Sequence, residues 1–219
     1  MTSLFSDPSA FLMRLIYVLP AVITALTFHE WGHAYMAYRL GDPTAKYMKR
    51  LTLNPLNHLD PIGTLCMIFA GFGWAKPVPI DPRYFRYPRR DDFLVSIAGV
   101  TMNFILFIIS SFALLCLMRF TSIQGYPIKI LSFFASINIV LMVFNLLPIP
   151  PLDGYHVFND LILKRPLFAD ARAMQIGWVV LIVIIFLLSA PLETIFEFAI
   201  TNAFAGMAWL FNGVVSLVL

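Results

Sequence analysis

The sequence predicts an all-α polytopic membrane protein. Three observations carry this. Of 219 residues, 60% are hydrophobic and only 12% charged, against about 25% charged in an ordinary soluble domain. Long apolar runs recur along the chain, several reaching the roughly 20 residues needed to cross a ~30 Å hydrocarbon core. The charged residues lie between those runs. This composition excludes a disordered chain and argues against a soluble globule. It argues against a nucleic-acid binder too, because the formal charge is only +3 and no basic run forms a helix face.

The length suits a single membrane domain over residues 1–219. Cys66 and Cys116, both inside apolar runs, make no disulfide framework. A signal-peptide reading of the start fails, because the apolar run continues past the poor cleavage site Ala25-Leu26-Thr27.

About five transmembrane helices are expected, over 10–40, 92–118, 130–148, 173–190 and 192–217. A sixth apolar run, 62–75, is shorter and carries Gly63, Gly71 and Gly73, which suits a re-entrant segment. Turn residues crowd the stretch before it, at Gly41-Asp42-Pro43, Asn54-Pro55 and Asp60-Pro61. They predict a small extended β hairpin near residues 42–64.

Charge then orients the chain. If 62–75 does not cross, one side holds all 15 basic residues except Arg14, Arg119 and Lys129. That side is expected to be cytoplasmic, with the N-terminus outside. The setting expected is a prokaryotic cell membrane.

The first span carries polar residues where they are expensive. His29, Glu30 and His33 form His-Glu-x-x-His. Histidines four apart share one helix face, so two imidazoles can meet one tetrahedral zinc. Glu30, beside the first ligand, can act as general base on a water. A charged group at bilayer depth costs about 2.5–3.5 kcal/mol even on insertion scales, so such residues mark function. Ala25, Gly32 and Ala37 flank the motif and let a neighbouring helix approach closely.

A catalytic zinc takes three protein ligands and keeps one open position. His58 lies in the turn-rich stretch Asn54–Pro61. It is either a ligand or a turn histidine. Glu193 and Glu197 fall at the outer end of the last span, on the wrong side. Asp153 follows Pro148-Ile149-Pro150-Pro151-Leu152 at the cytoplasmic end of the 130–148 span, where prolines let the chain turn back into the protein. Asp153 could face the histidine pair or merely cap a following helix. Asn103 and Asn145 are amides within apolar helices. Each either bonds across helices or meets a substrate carbonyl or oxyanion.

Taken together these residues resemble the site-2 protease family of intramembrane zinc metalloproteases, in a short form without PDZ or CBS domains. The resemblance rests on Phe28-His29-Glu30-Trp31-Gly32-His33, Leu53-Asn54-Pro55, and His58-Leu59-Asp60-Pro61-Ile62-Gly63-Thr64. It continues through Gly73-Trp74-Ala75-Lys76-Pro77-Val78-Pro79 and Asn103 to Phe144-Asn145-Leu146-Leu147-Pro148 and Leu152-Asp153-Gly154. It implies zinc on His29, His33 and Asp153, with Glu30 as catalytic base. It also implies a metalloendopeptidase that cuts membrane-protein substrates in or near a transmembrane helix, with Asn145 positioning the substrate. Val100 departs from the proline many members place after the glycine, and a leading helix found in some members is not expected. The alternative is a catalytically inactive membrane metal-binding protein or regulator. A metal transporter fits less well, since 92–118 and 173–190 offer almost no polar path. A prenyl-processing type of protease would need a glutamate as third ligand.

Overall fold

The structure, a computed structural model, describes residues 7–70, 73–163 and 171–218. Among them are eight α-helices and no β-strand: α1 Pro8–Arg39, α2 Thr44–Tyr47, α3 Pro61–Ala70, α4 Pro88–Phe120, α5 Tyr126–Asn145, α6 Asp153–Phe158, α7 Ala171–Leu187 and α8 Ser189–Val218. The protein is therefore an all-α polytopic membrane protein, as its composition predicts. Helices α1, α4, α5 and α8 are long and apolar enough to cross a bilayer. The fifth expected span, 173–190, is α7, which at 17 residues is shorter than the others. A new helix starts at Ser189, so the apolar run is divided between two elements.

Local chemistry sets the ends of α1. Asp7 accepts the Ala10 N–H at 3.0 Å and Pro8 needs no donor of its own. At the other end Gly41, at φ 109°, supplies the left-handed residue that stops the helix. Helix α4 packs against both α1 and α5, and α6 rests on α4. The α1–α4 seam is tight because it is built on glycine. A Cβ on Gly32 would lie 2.7 Å from Met102 Cγ and 2.9 Å from the Ala98 carbonyl oxygen. Phe107, Ala135 and Ile139 are buried in the α4–α5 seam, where Ala203 and Phe204 of α8 pack against them.

The β hairpin expected near residues 42–64 does not form. That segment holds α2, a 3₁₀ turn at Pro55–Asn57, and a single bridge from Leu59 to Ala75. Side chains have replaced the ladder. Asp42 is fully buried and accepts the N–H groups of Thr44 at 2.8 Å and Asp81 at 2.7 Å. Arg50 donates to the Lys76 carbonyl at 2.6 Å. Prolines 43, 55 and 61 have no N–H to give a ladder, and local Asx bonding competes with strand pairing. The run 62–75, expected to be re-entrant, holds most of α3, ten residues or about 15 Å, too short to cross. Beyond it the chain comes back against itself: a Cβ on Gly63 would collide with the Trp74 carbonyl, and one on Gly73 with the Gly63 carbonyl.

Candidate metal centre

Two residues of α1 and one of α6 meet at one point. His29 Nε2 and His33 Nε2 are 3.1 Å apart, and Asp153 Oδ2 lies 3.2 and 3.3 Å from them. Among the described residues these three form the group of histidine, cysteine and carboxylate side chains close enough to share an ion. Helix α1 supplies the one-turn spacing. The Pro148–Pro151 break lets α6 start beside it, and Asp153 stands in the first turn of α6 with Leu152 at the N-cap and no side-chain cap bond. The carboxylate is thus not spent on capping.

The tautomers follow from the partners. His33 Nδ1 lies 2.8 Å from the Val95 carbonyl, which can only accept, so Nδ1 carries the proton. His29 Nδ1 lies 2.7 Å from Asn103 Oδ1. The Asn103 amide nitrogen donates to the Ala25 carbonyl at 3.3 Å and to Asn138 Oδ1 at 3.1 Å, so its oxygen is the acceptor and His29 Nδ1 the donor. Both Nε2 atoms therefore offer lone pairs. They face Asp153 Oδ2, which is buried and has no hydrogen-bond donor of its own. Three electron-pair donors within 3.3 Å of one another, with no proton to share, need a cation among them. Two imidazole nitrogens and one carboxylate oxygen suit zinc with an open coordination position.

Gly99 makes the arrangement possible from α4. A Cβ there would collide with His33 Nε2 and lie 2.8 Å from His29 Cε1. The glycine stripe that let α4 approach α1 is also the wall behind the imidazoles.

A cavity of about 740 Å³ opens on this point. His29, Glu30, His33 and Asp153 line it, with Trp74, Val78, Phe144, Asn145 and Trp178. Glu30 Oε2 accepts the Val78 N–H at 2.9 Å, which ties the carboxylate to the loop that Asp42 and Arg50 hold in place.

The other residues singled out from the sequence fall as follows. Asn145 borders the cavity and donates to the Leu141 carbonyl at 3.0 Å. Asn103 is fully buried behind His29, away from the cavity wall. The substrate or oxyanion contact expected of it thus gives way to a place behind the histidine, because its amide is committed to His29, Ala25 and Asn138. His58 is a turn histidine, fully buried, with Nε2 2.7 Å from the Thr52 carbonyl. Glu193 and Glu197 are exposed on α8. Sequence reading missed Asn138, whose only signal was a further amide in an apolar run. It also missed the Val95 carbonyl and the Val78 N–H, backbone groups that no residue type announces.

The sequence description "Peptidase family M50" matches residues 118–188, which include Asp153. The protein YwhC of Bacillus subtilis (strain 168), a zinc metalloprotease by name, is 41% identical over 179 residues, covering 77% of this chain and 79% of that protein. The chain belongs to peptidase family M50. Other similar relatives are the Rip2 proteins, also zinc metalloproteases by name. That of Mycobacterium tuberculosis (strain ATCC 25618 / H37Rv) is 31% identical over 184 residues, 81% of this chain and 70% of that protein. That of Mycolicibacterium smegmatis is 29% identical over 185 residues, again 81% and 70%. No solved structure matches the chain significantly. As a site-2 protease family member with four helices among the described residues long and apolar enough to span a bilayer, the protein is a membrane-embedded zinc metalloprotease.

Proposed function

We propose that this protein is an intramembrane endopeptidase that hydrolyses peptide bonds in or near transmembrane segments of other membrane proteins. One observation carries the reading: the His29–His33–Asp153 set and Glu30 line one cavity among helices long enough to span a bilayer. Zinc held by His29, His33 and Asp153 would supply Lewis acidity toward a water and the scissile carbonyl. Glu30 takes the proton of the attacking water and passes it to the leaving amine. The Val78 N–H holds one oxygen of that carboxylate and leaves the other for the proton. Asn145, at the cavity wall, is suited to hold a substrate carbonyl. Trp74, Phe144 and Trp178 give an apolar surface for the side chains of an unwound substrate helix.

The distribution of basic residues supports an active site open to the cytoplasm and an N-terminus outside, in a prokaryotic cell membrane. Partners on this reading are the lipid bilayer and a substrate carrying a transmembrane helix.

Glu30→Gln tests it. Zinc content should stay intact while peptide hydrolysis falls by about 10²–10⁴-fold. Retained cleavage would remove Glu30 from the chemistry. Comparing membrane proteomes made with wild type and with Glu30→Gln should reveal the substrates, as fragments that appear only with the active protein.

A further inference from the structure

A second polar pair borders the same cavity. His156 follows Asp153 by three residues in α6. Side chains at that spacing are neighbours on one helix face, with Cβ atoms about 5–6 Å apart. His156 therefore stands beside the third member of the metal centre. Its Nδ1 lies 3.0 Å from Asp92 Oδ2, across the gap to α4, and both residues line the cavity.

The pair has the form of an oriented imidazole. A carboxylate can only accept, so His156 Nδ1 carries a proton and the ring is fixed against α4. Nε2 makes no hydrogen bond to a described residue, and the side chain keeps 28% of its surface open. Burial works against a charged ring here, but the 3.0 Å pairing with Asp92 and the negative charges of Asp92 and Asp160 favour the imidazolium. Asp160 is pushed up to about 6 by its burial and by the charge of Asp92. Arg89 sits on the far side and donates to the Asp160 carbonyl at 2.7 Å. In the cationic ring Nε2 is a donor too, and no described residue competes for it.

The scheme in which Glu30 moves the proton leaves one need unmet from the protein side. Negative charge builds on the scissile carbonyl oxygen as water adds to the carbon. A preplaced donor aimed at that oxygen lowers the barrier without moving at the moment of reaction. Glu30 cannot serve, being a base.

We infer that His156, oriented by Asp92, is a further catalytic residue that donates a hydrogen bond from Nε2 to the developing oxyanion of the scissile peptide. This deepens the proposed hydrolysis and rests on it. His156 keeps its proton throughout. The water oxygen bonds to the carbonyl carbon, Glu30 receives the water proton, the C–N bond breaks, and Glu30 returns that proton to the amine.

The experiment uses the full chain in detergent micelles, with fluorescently labelled casein as an unfolded generic substrate and zinc affinity read by competition with a chromophoric chelator. His156→Gln should lower kcat by about 10²–10³-fold, the cost of one lost oxyanion donor. KM and zinc affinity should stay at wild-type values. Asp92→Asn should lower kcat by less, since it leaves the ring present but loosely held. It also serves as the second variant should His156→Gln misfold. Wild-type kcat in both variants would overturn the inference. So would zinc affinity that falls in step with the rate, for then the pair is only a strap that places Asp153. Glu30→Gln is run alongside. If it turns over normally, the hydrolytic reading itself fails. If it is inactive while His156→Gln is not, only the present inference fails.

Discussion

Two regions shape the same cavity by opposite means. The α1–α4 seam is held by close packing, with Gly32 and Gly99 letting two backbones meet and the imidazoles pressed into the gap. The segment from Asp42 to Asp81 holds only the short helices α2 and α3 and a 3₁₀ turn, with no strand among its described residues, and it is held by polar bonds, Asp42 to Thr44 and Asp81, Arg50 to Lys76, and Val78 to Glu30. The first region carries two of the three candidate metal-centre residues and the second grips Glu30, the proposed general base. A packed seam has no slack, so the smallest added group should damage it. A bonded loop loses one anchor at a time, so its failures should be graded and should spare the metal.

Gly99→Ala gives the largest expected effect. Its methyl would overlap the ring of His33, and bound zinc and activity should both be lost, as read by metal analysis of the purified protein. Normal zinc in this variant would mean that the seam yields more than its packing implies. Next come the amides behind His29. Asn103→Ala removes the acceptor of the His29 Nδ1 proton and should weaken zinc by about 10–100-fold, as for other residues that orient a ligand. Asn138→Ala, one bond further back, should weaken it less, and chelator competition ranks the two.

Asp42→Ala sharpens the contrast from the loop side. It strips acceptors from two backbone N–H groups at a buried position, each loss costing about 1–3 kcal/mol. Casein cleavage should fall because Val78 no longer holds Glu30, while zinc affinity stays unchanged. An equal loss of zinc would erase the distinction between the two regions. The smallest effect belongs to Glu197→Gln on exposed α8, where stability should move by no more than about 0.5 kcal/mol and activity not at all.

The sequence disclosed what composition and spacing can carry. The spans stood out because lipid demands long apolar runs, and the chemistry stood out because His29, Glu30 and His33 are expensive at that depth. Asp153 was legible through the prolines that break the chain before it. Whether Asn103 faced the cavity or the back of His29 was not legible, because helical spacing does not say which neighbour covers a face. Residues 42–64 were misread as a hairpin because turn residues mark where a chain bends but not whether side chains or strands then satisfy its backbone. His156 was in view at three residues from Asp153, yet its meaning depended on Asp92, 64 positions away.

The central claim is that His29, His33 and Asp153 share one ion. Zinc per chain, measured by mass spectrometry on purified wild type, Asp153→Ala and His58→Ala, tests it most directly. The account predicts one zinc in wild type and in His58→Ala and almost none in Asp153→Ala. Zinc kept in Asp153→Ala but lost in His58→Ala would contradict it.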